Sequence, residues 1–308
     1  MIAWQNFTLA RYIVSDHLMT KGMGAMDMKC LNVIQISDLH LTPHGQVPVH
    51  GQQYDPWTKL ADIIVDMRRL PASPDLIVLT GDLIHNGSAD DYQRLHAIVH
   101  TMEAEFGCHV RALLGNHDSR QDFYDGYLPA DPGPYYNGRM RIGNNDFYFL
   151  DSKVAGYEAG WLATEQLQWL GKHLRQAPTK RAFVFLHHPL DGPTMTNMHY
   201  AILQNTPALL SVLRGHNLGG VFSGHVHFPT SYVVGDNILN VVAGSAAYAI
   251  DCSDPQHHYV HESSSYQIIT IDRGQVGVTV RQLMQQPTVI DELPIADTKF
   301  IKPAPAGY

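Results

Sequence analysis

The chain has 308 residues, 44% of them hydrophobic, and a formal net charge of −8. That length is ample for a packed core in one large domain or two small ones. The acidic balance, with no basic cluster, speaks against nucleic acid as a partner and leaves any anionic ligand in need of local positive charge.

Met1 to Ala10 carry neither a basic n-region nor a long apolar run, so no signal peptide and no membrane span are expected. Three scattered cysteines, Cys30, Cys108 and Cys252, fit free thiols in a reducing compartment, and the expected location is cytoplasmic. Residues 1–29 are Met-rich without periodicity and read as an N-terminal extension. The core starts near Cys30. Leu31 to Ile36 is a β-rich apolar run that ends at Asp38-Leu39-His40, and a loop with Pro43, Gly45, Pro48 and Gly51 follows. Asp55-Pro56 is an N-cap with proline at the first helical position; Leu60, Ile63, Ile64 and Met67 keep helical spacing until Pro71. Leu76 to Leu79 is a second strand with the exit Thr80-Gly81-Asp82. Ser88-Ala89-Asp90-Asp91 opens a helix by a capping box, and Gly107 closes its stripe of Tyr92, Leu95, Val99, Met102 and Phe106. Val110 to Leu114 is a third strand running into Gly115-Asn116-His117-Asp118. Strand-helix alternation with polar residues at each strand's carboxyl end implies a parallel sheet and a ligand site beyond those ends.

The middle of the chain is looser. Asp131-Pro132-Gly133-Pro134 is a turn, Phe147 to Leu150 a strand with an Asp151-Ser152 exit, and Thr164 to Leu174 an amphipathic helix. Phe183 to Leu186 is a buried strand ending at His187-His188-Pro189. Thr206-Pro207 caps the helix of Leu209, Leu210 and Leu213; Gly220 to Phe222 is a short strand into Gly224-His225-Val226-His227. Ile238 to Val242, Gln267 to Ile271 and Val276 to Val280 read as strands of a second sheet, antiparallel in part. Ser245 to Ser265, with His257, His258 and His261, reads as a solvated loop, with a lid or a subunit contact as alternatives. Residues 286–308 read as a surface tail, which leaves a domain at 30–285.

Five polar clusters therefore follow apolar strands. On a strand exit, residues two apart point the same way, so Asp38 and His40 can meet one ion, as can His225 and His227. Asn116 offers a neutral oxygen, His117 carries a proton and Asp118 is placed to orient it. Each cluster alone has an ordinary reading as a cap, a turn or a satisfied buried imidazole. Jointly they supply two Asp, one Asn and four His, a nitrogen and oxygen set suited to Mn, Fe, Zn or Co and without the thiolates of a structural zinc site. A carboxylate shared by two ions would hold them about 3.5–4 Å apart, the spacing of two-metal hydrolytic sites.

The ordered set Asp38-x-His40, Gly81-Asp82, Gly115-Asn116-His117-Asp118, His187-x-Pro189 and Gly224-His225-x-His227 resembles the calcineurin-like metallophosphoesterase superfamily over residues 31 to 285. Gly160-Trp161-Leu162, Gln166-Leu167, Trp169-Leu170 and Leu203-Gln204-Asn205 resemble its class III cyclic nucleotide phosphodiesterase and glycerophosphodiesterase branch. The resemblance implies a four-layer α/β sandwich, αββα, of two mixed sheets flanked by helices. It implies Asp38, His40 and His227 on one metal, Asn116, His187 and His225 on the other, and Asp82 bridging both. His187 rather than His188 is the ligand because the family's histidine stands two before the proline. His117, oriented by Asp118, would contact phosphate or protonate the leaving alkoxide. The segment 190–202, with Met195, Asn197, His199 and Tyr200, would line the substrate pocket. Asn86 reads equally as a phosphate contact or a loop cap.

The expected function is hydrolysis of small phosphodiesters, of 3′,5′-cyclic nucleotide or glycerophosphodiester type, by metal-bound hydroxide. A phosphomonoesterase on the same scaffold and a non-catalytic binding scaffold are the alternatives. Two departures narrow the class. The tyrosine that purple acid phosphatases carry three residues after the Gly-Asp aspartate is His85 here, and the Arg-rich signature of protein phosphatases is replaced by Leu83-Ile84-His85-Asn86-Gly87. The resemblance also implies a homo-oligomer, a dimer or larger.

Overall fold

The computed structural model describes residues 30–128, 130 and 133–295. The expected extension at 1–29 and the tail beyond 295 lie outside the described residues, as do Asp131 and Pro132 of the expected turn. In chain order, β1 (Leu31–Ile36), α1 (Pro56–Met67), β2 (Leu76–Thr80), α2 (Ala89–Phe106), β3 (His109–Leu113) and α3 (Arg120–Gly126) alternate. Then come β4 (Gly138–Ile142), β5 (Asn145–Phe149), α4 (Thr164–Gln176), β6 (Arg181–Phe185), α5 (Thr206–Leu213), β7 (Leu218–Ser223), β8 (Thr230–Val234) and β9 (Ile238–Val242). β10 (Tyr248–Asp251), β11 (His257–Asp272) and β12 (Gln275–Pro294) follow.

Two mixed sheets result. The first has the order β10-β11-β1-β2-β3, with β12 on β11; the second has the order β4-β5-β6-β7-β9-β8. β1, β2 and β3 are mutually parallel, as are β5, β6, β7 and β9. Antiparallel β4 and β8 close the second sheet's edges.

The layering follows from alternation along strands buried on both faces. Val33, Val78, Phe147, Phe183, Phe185 and Phe222 meet between the sheets. The opposite faces, with Ile34, Ile36, Ile77 and Leu79, take Leu60, Ile63, Tyr92 and Leu95 from α1 and α2. Across the second sheet, Tyr148, Val184 and Val221 take Leu170 and Leu174 of α4 and Leu209 and Leu213 of α5. This is the expected four-layer αββα sandwich. Local signals placed the helices: Asp55 Oδ1 accepts from Trp57 N–H at 2.8 Å, Ser88 and Asp91 form the capping box, and Gly107 ends α2 at φ +66°.

Three readings are corrected. Residues 267–271 and 276–280 belong to the first sheet, where β11 lies antiparallel on β1, not to the second. The segment 245–265 is not a free loop: β10 and the first half of β11 pair through it. The surface tail cannot begin at 286, because β12 runs on β11 to Pro294, past register shifts near His261. Those bulges broke the period that would have announced one long strand. Among the described residues no helix is long and apolar enough to cross a membrane.

A buried ion pair ties α1 to the far half of β11. Lys59 Nζ meets Glu262 Oε1 and the Ala247 carbonyl and donates to Gln52 Oε1 at 2.9 Å, while Glu262 Oε2 accepts from Gln53 N–H at 2.8 Å. Removing one partner strands the other charge. Lys59→Met should lower stability by about 3–5 kcal/mol, and Lys59→Met with Glu262→Leu should recover most of it; urea unfolding of the two variants checks this.

Candidate metal centre

The carboxyl ends of β1, β2, β3, β6 and β7 bring Asp38 and His40, Asp82, Asn116, His187, and His225 and His227 to one rim. Asp38, His40, Asp82 and His187 are at most 1% exposed. Five of the seven lie at positive φ: Asp38 at +53°, His40 at +39°, Asp82 at +47°, His225 at +73° and His227 at +59°. Non-glycine residues rarely adopt this left-handed region, and held there they mark strain stored at a functional site. Two glycines make room. A Cβ on Gly115 would fall on the Asp82 carboxylate, and one on Gly224 would fall on Ser37 Oγ and the Asp38 carboxylate.

Backbone carbonyls set the ring orientations. His187 Nδ1 donates to the Thr80 carbonyl at 2.8 Å, and His227 Nδ1 to that of Tyr248 at 2.9 Å. Their Nε2 atoms then carry lone pairs inward. His187 Nε2 lies 3.0 Å from Asn116 Oδ1, 3.1 Å from His225 Nδ1 and 3.4 Å from Asp82 Oδ2. His227 Nε2 lies 3.1 Å from His40 Nε2 and 3.6 Å from Asp38 Oδ1. Asp82 Oδ2 also stands 3.4 Å from His40 Nε2. It is buried without a hydrogen-bond partner, between two groups of lone-pair donors.

The charge pattern agrees with a cation site. Burial raises the Asp38 carboxyl to about 7 and lowers His227 to about 3. Burial also opposes charge on His187, but Asp82 and Asp38 outweigh it and lift that ring to about 9. The extra proton falls on Nε2, where the acceptors meet. A metal ion takes that place only by releasing it. The donor set therefore fits two divalent ions: Asp38, His40 and His227 would hold one, Asn116, His187 and His225 the other, with Asp82 Oδ2 between.

Asp118 is corrected. It was expected to orient His117, yet its carboxylate accepts from the N–H groups of Leu83 (3.0 Å), Ile84 (3.2 Å) and Gly115 (2.8 Å) and from Tyr92 O–H (2.7 Å). It clamps the loops that carry Asp82 and Asn116. His117 is half-buried, stacked on His85 at 4.6 Å between ring centroids, and its N–H donates to Asp82 Oδ1 at 2.9 Å.

Of the substrate candidates, His199 and Tyr200 are neighbours, their ring centroids 6.0 Å apart, while Asn86 stands in the loop after β2. Asn86 is exposed; its N–H reaches the His117 carbonyl at 3.3 Å, and it lines a cleft of about 470 Å³ with His44 and Arg94. His199 is exposed, with Nδ1 on the Thr196 carbonyl. Tyr200 is buried, its hydroxyl 3.2 Å from His258 Nδ1. Beside them runs a groove of about 450 Å³ lined by Asn197, Met198, Phe228 and Ile250.

Sequence reading missed Glu158, Lys153 and Tyr248. Asn116 Nδ2 donates to Glu158 Oε2 at 2.7 Å, which leaves Oδ1 to face His187, and Lys153 Nζ donates to the Asn116 carbonyl at 2.7 Å. Both follow β5, whose exit opens on the same rim as that of parallel β6; that placement was the available signal.

The calcineurin-like phosphoesterase family matches residues 31–229, a span holding all seven candidate ligands. The chain belongs to this family. It is 29% identical over 221 residues to a Rhodococcus erythropolis protein named "Probable cyclic nucleotide phosphodiesterase", covering 71% of this chain and 72% of that one. It is 28% identical over 245 residues to "Probable glycerophosphodiester phosphodiesterase GpdQ" of Arcobacter nitrofigilis, covering 77% and 87%. A solved dimetal phosphatase from Danio rerio shares the fold with a TM-score of 0.56 at 17% identity, over 82% of this chain and 99% of that one. A calcineurin-like phosphoesterase whose ligands pack this closely depends on its glycines. Gly115→Ala should push the Asp82 carboxylate aside and leave fewer than two metal ions per folded chain, as metal analysis after dialysis would measure, with circular dichroism reporting the fold.

Proposed function

We propose that this protein is a two-metal phosphodiesterase acting on small diesters of the 3′,5′-cyclic nucleotide or glycerophosphodiester type. The observation that carries the reading is Asp82 Oδ2, buried, unpartnered and equidistant at 3.4 Å from His40 and His187. Such an oxygen is stable between two cations and costly otherwise. The kinship with phosphodiesterases named for cyclic nucleotides and glycerophosphodiesters supports the substrate class.

Two bound cations of the Mn, Fe, Zn or Co type would supply activation of water and neutralise charge on the phosphoryl oxygens. The chain's own groups do the rest. Asp82 and Asp38 hold the negative charge that draws cations into a chain whose net charge is −8. Glu158 fixes the Asn116 amide so that its oxygen, not its nitrogen, faces inward. His117, half-buried at the rim with its ring centroid 5.0 Å from that of His40, is placed to contact phosphate or give a proton to the leaving alkoxide. Three free thiols suit the reducing cytoplasm.

A panel of aryl and natural phosphate mono- and diesters, with metal content measured on the same sample, tests the reading. Diesters should turn over faster than monoesters, activity should vanish with chelator and return with Mn²⁺, and His117→Ala should lower kcat by about 10²–10⁴-fold. Full activity in Asp82→Ala or Asn116→Ala would contradict the assignment, and faster monoester turnover would make the protein a phosphomonoesterase.

A further inference from the structure

His40 differs from two of the other three ring ligands in one respect. His187 and His227 anchor their Nδ1–H groups on backbone carbonyls. His40 Nδ1 instead lies 3.1 Å from Nδ1 of another imidazole, His85. For His40 Nε2 to present a lone pair among Asp82, His227 and Asp38, its proton must sit on Nδ1, and that proton needs an acceptor.

We propose that His85 is a positioning residue of the metal centre: it accepts the Nδ1–H of His40, which aims Nε2 of His40 at the metal shared with Asp38 and His227, and it fixes the His117 ring by stacking. The inference rests on the two-metal reading above and deepens it. The backbone supports the arrangement. His40 N–H bonds the Asp82 carbonyl at 2.8 Å, Leu41 N–H that of Leu83 at 3.1 Å, and His85 N–H that of Leu41 at 3.1 Å. This short ladder locks the exits of β1 and β2 together and sets His85 beside His40. The His85 ring then stacks on His117, 4.6 Å between centroids with 26° between planes. One ring thus serves both a ligand and the candidate acid. His40, His85 and His117 also form a triad whose ligand atoms lie within 4.8 Å. A third cation there would have to strip the proton from His40 Nδ1, whereas 3.1 Å is already a hydrogen-bond distance for two nitrogens.

The test compares the full chain with His85→Phe, which keeps a stacking ring and loses the acceptor, and His85→Asn, whose Oδ1 reaches about as far as the histidine Nδ1. Metal-stripped protein is titrated with Co²⁺ by calorimetry and by the visible d–d bands, with thermal unfolding recorded without metal. The unaltered chain should bind two ions. His85→Phe should weaken one site by about 10–100-fold and leave the other unchanged, with a shift in the bands of the weakened site; His85→Asn should restore most of the loss. Two equally tight sites in His85→Phe, or no rescue by His85→Asn, overturns the inference alone. A third ion in the unaltered chain, lost in both variants, overturns it in favour of a trinuclear site. An unaltered chain that binds no metal overturns the two-metal reading and this inference with it.

Discussion

Lone pairs packed against lone pairs are the constraint around which this molecule is built. His187 Nε2 faces Asn116 Oδ1, His225 Nδ1 and Asp82 Oδ2; His227 Nε2 faces His40 Nε2 and Asp38. In a buried pocket such an assembly repels itself unless positive charge sits within it. A proton on His187 provides a little of that charge. Two divalent ions would provide enough, and the rest of the architecture brings the atoms close enough to share them.

Two sheets do this by presenting their strand ends on a common rim. The His187 bond to Thr80 and the Gln35 Nε2 bond to the Ser223 carbonyl at 3.0 Å cross from one sheet to the other at that edge. Behind it, Phe147, Phe183, Phe185 and Phe222 fill the space between the layers, so the spacing of the rim is set by a rigid apolar interior rather than by the loops. The loops accept unfavourable backbone angles at Asp38, His40, Asp82, His225 and His227, each costing on the order of 1–3 kcal/mol. Asp118 repays part of this by gathering three N–H groups and the Tyr92 hydroxyl from the same turns.

Most of this edge was legible in the sequence, because each candidate ligand sits one to five residues past an apolar run and the runs β1, β2, β3 and β6 carry strong β-propensity. Helix caps at Asp55 and Ser88 were equally plain, since capping is a local interaction. What escaped is non-local. β12 pairs with β11 over a distance that no period reveals, and its bulges near His261 hide the alternation. Glu158 reaches Asn116 across 42 residues, and Tyr248 reaches His227 by a carbonyl, which every residue has. Asp118 was misread for the same reason. Sequence adjacency to His117 pointed to an orienting role, but the left-handed turns beside it had N–H groups in greater need of an acceptor.

The acidic balance of the chain then becomes part of the chemistry. Lys153, a cation of the chain itself, is tied to the Asn116 carbonyl, and burial lowers its tendency to hold a proton. With Asp82 and Glu158 close by, the rim offers a phosphate little positive charge of its own. Two bound divalent ions would supply it. Binding of an anionic diester and activation of water would therefore depend on the same two ions, so affinity and turnover would fall together if either ion were lost. A site that carried its own arginines would bind substrate without metal and fail only in the chemical step; here recognition of the phosphate would begin with the metals.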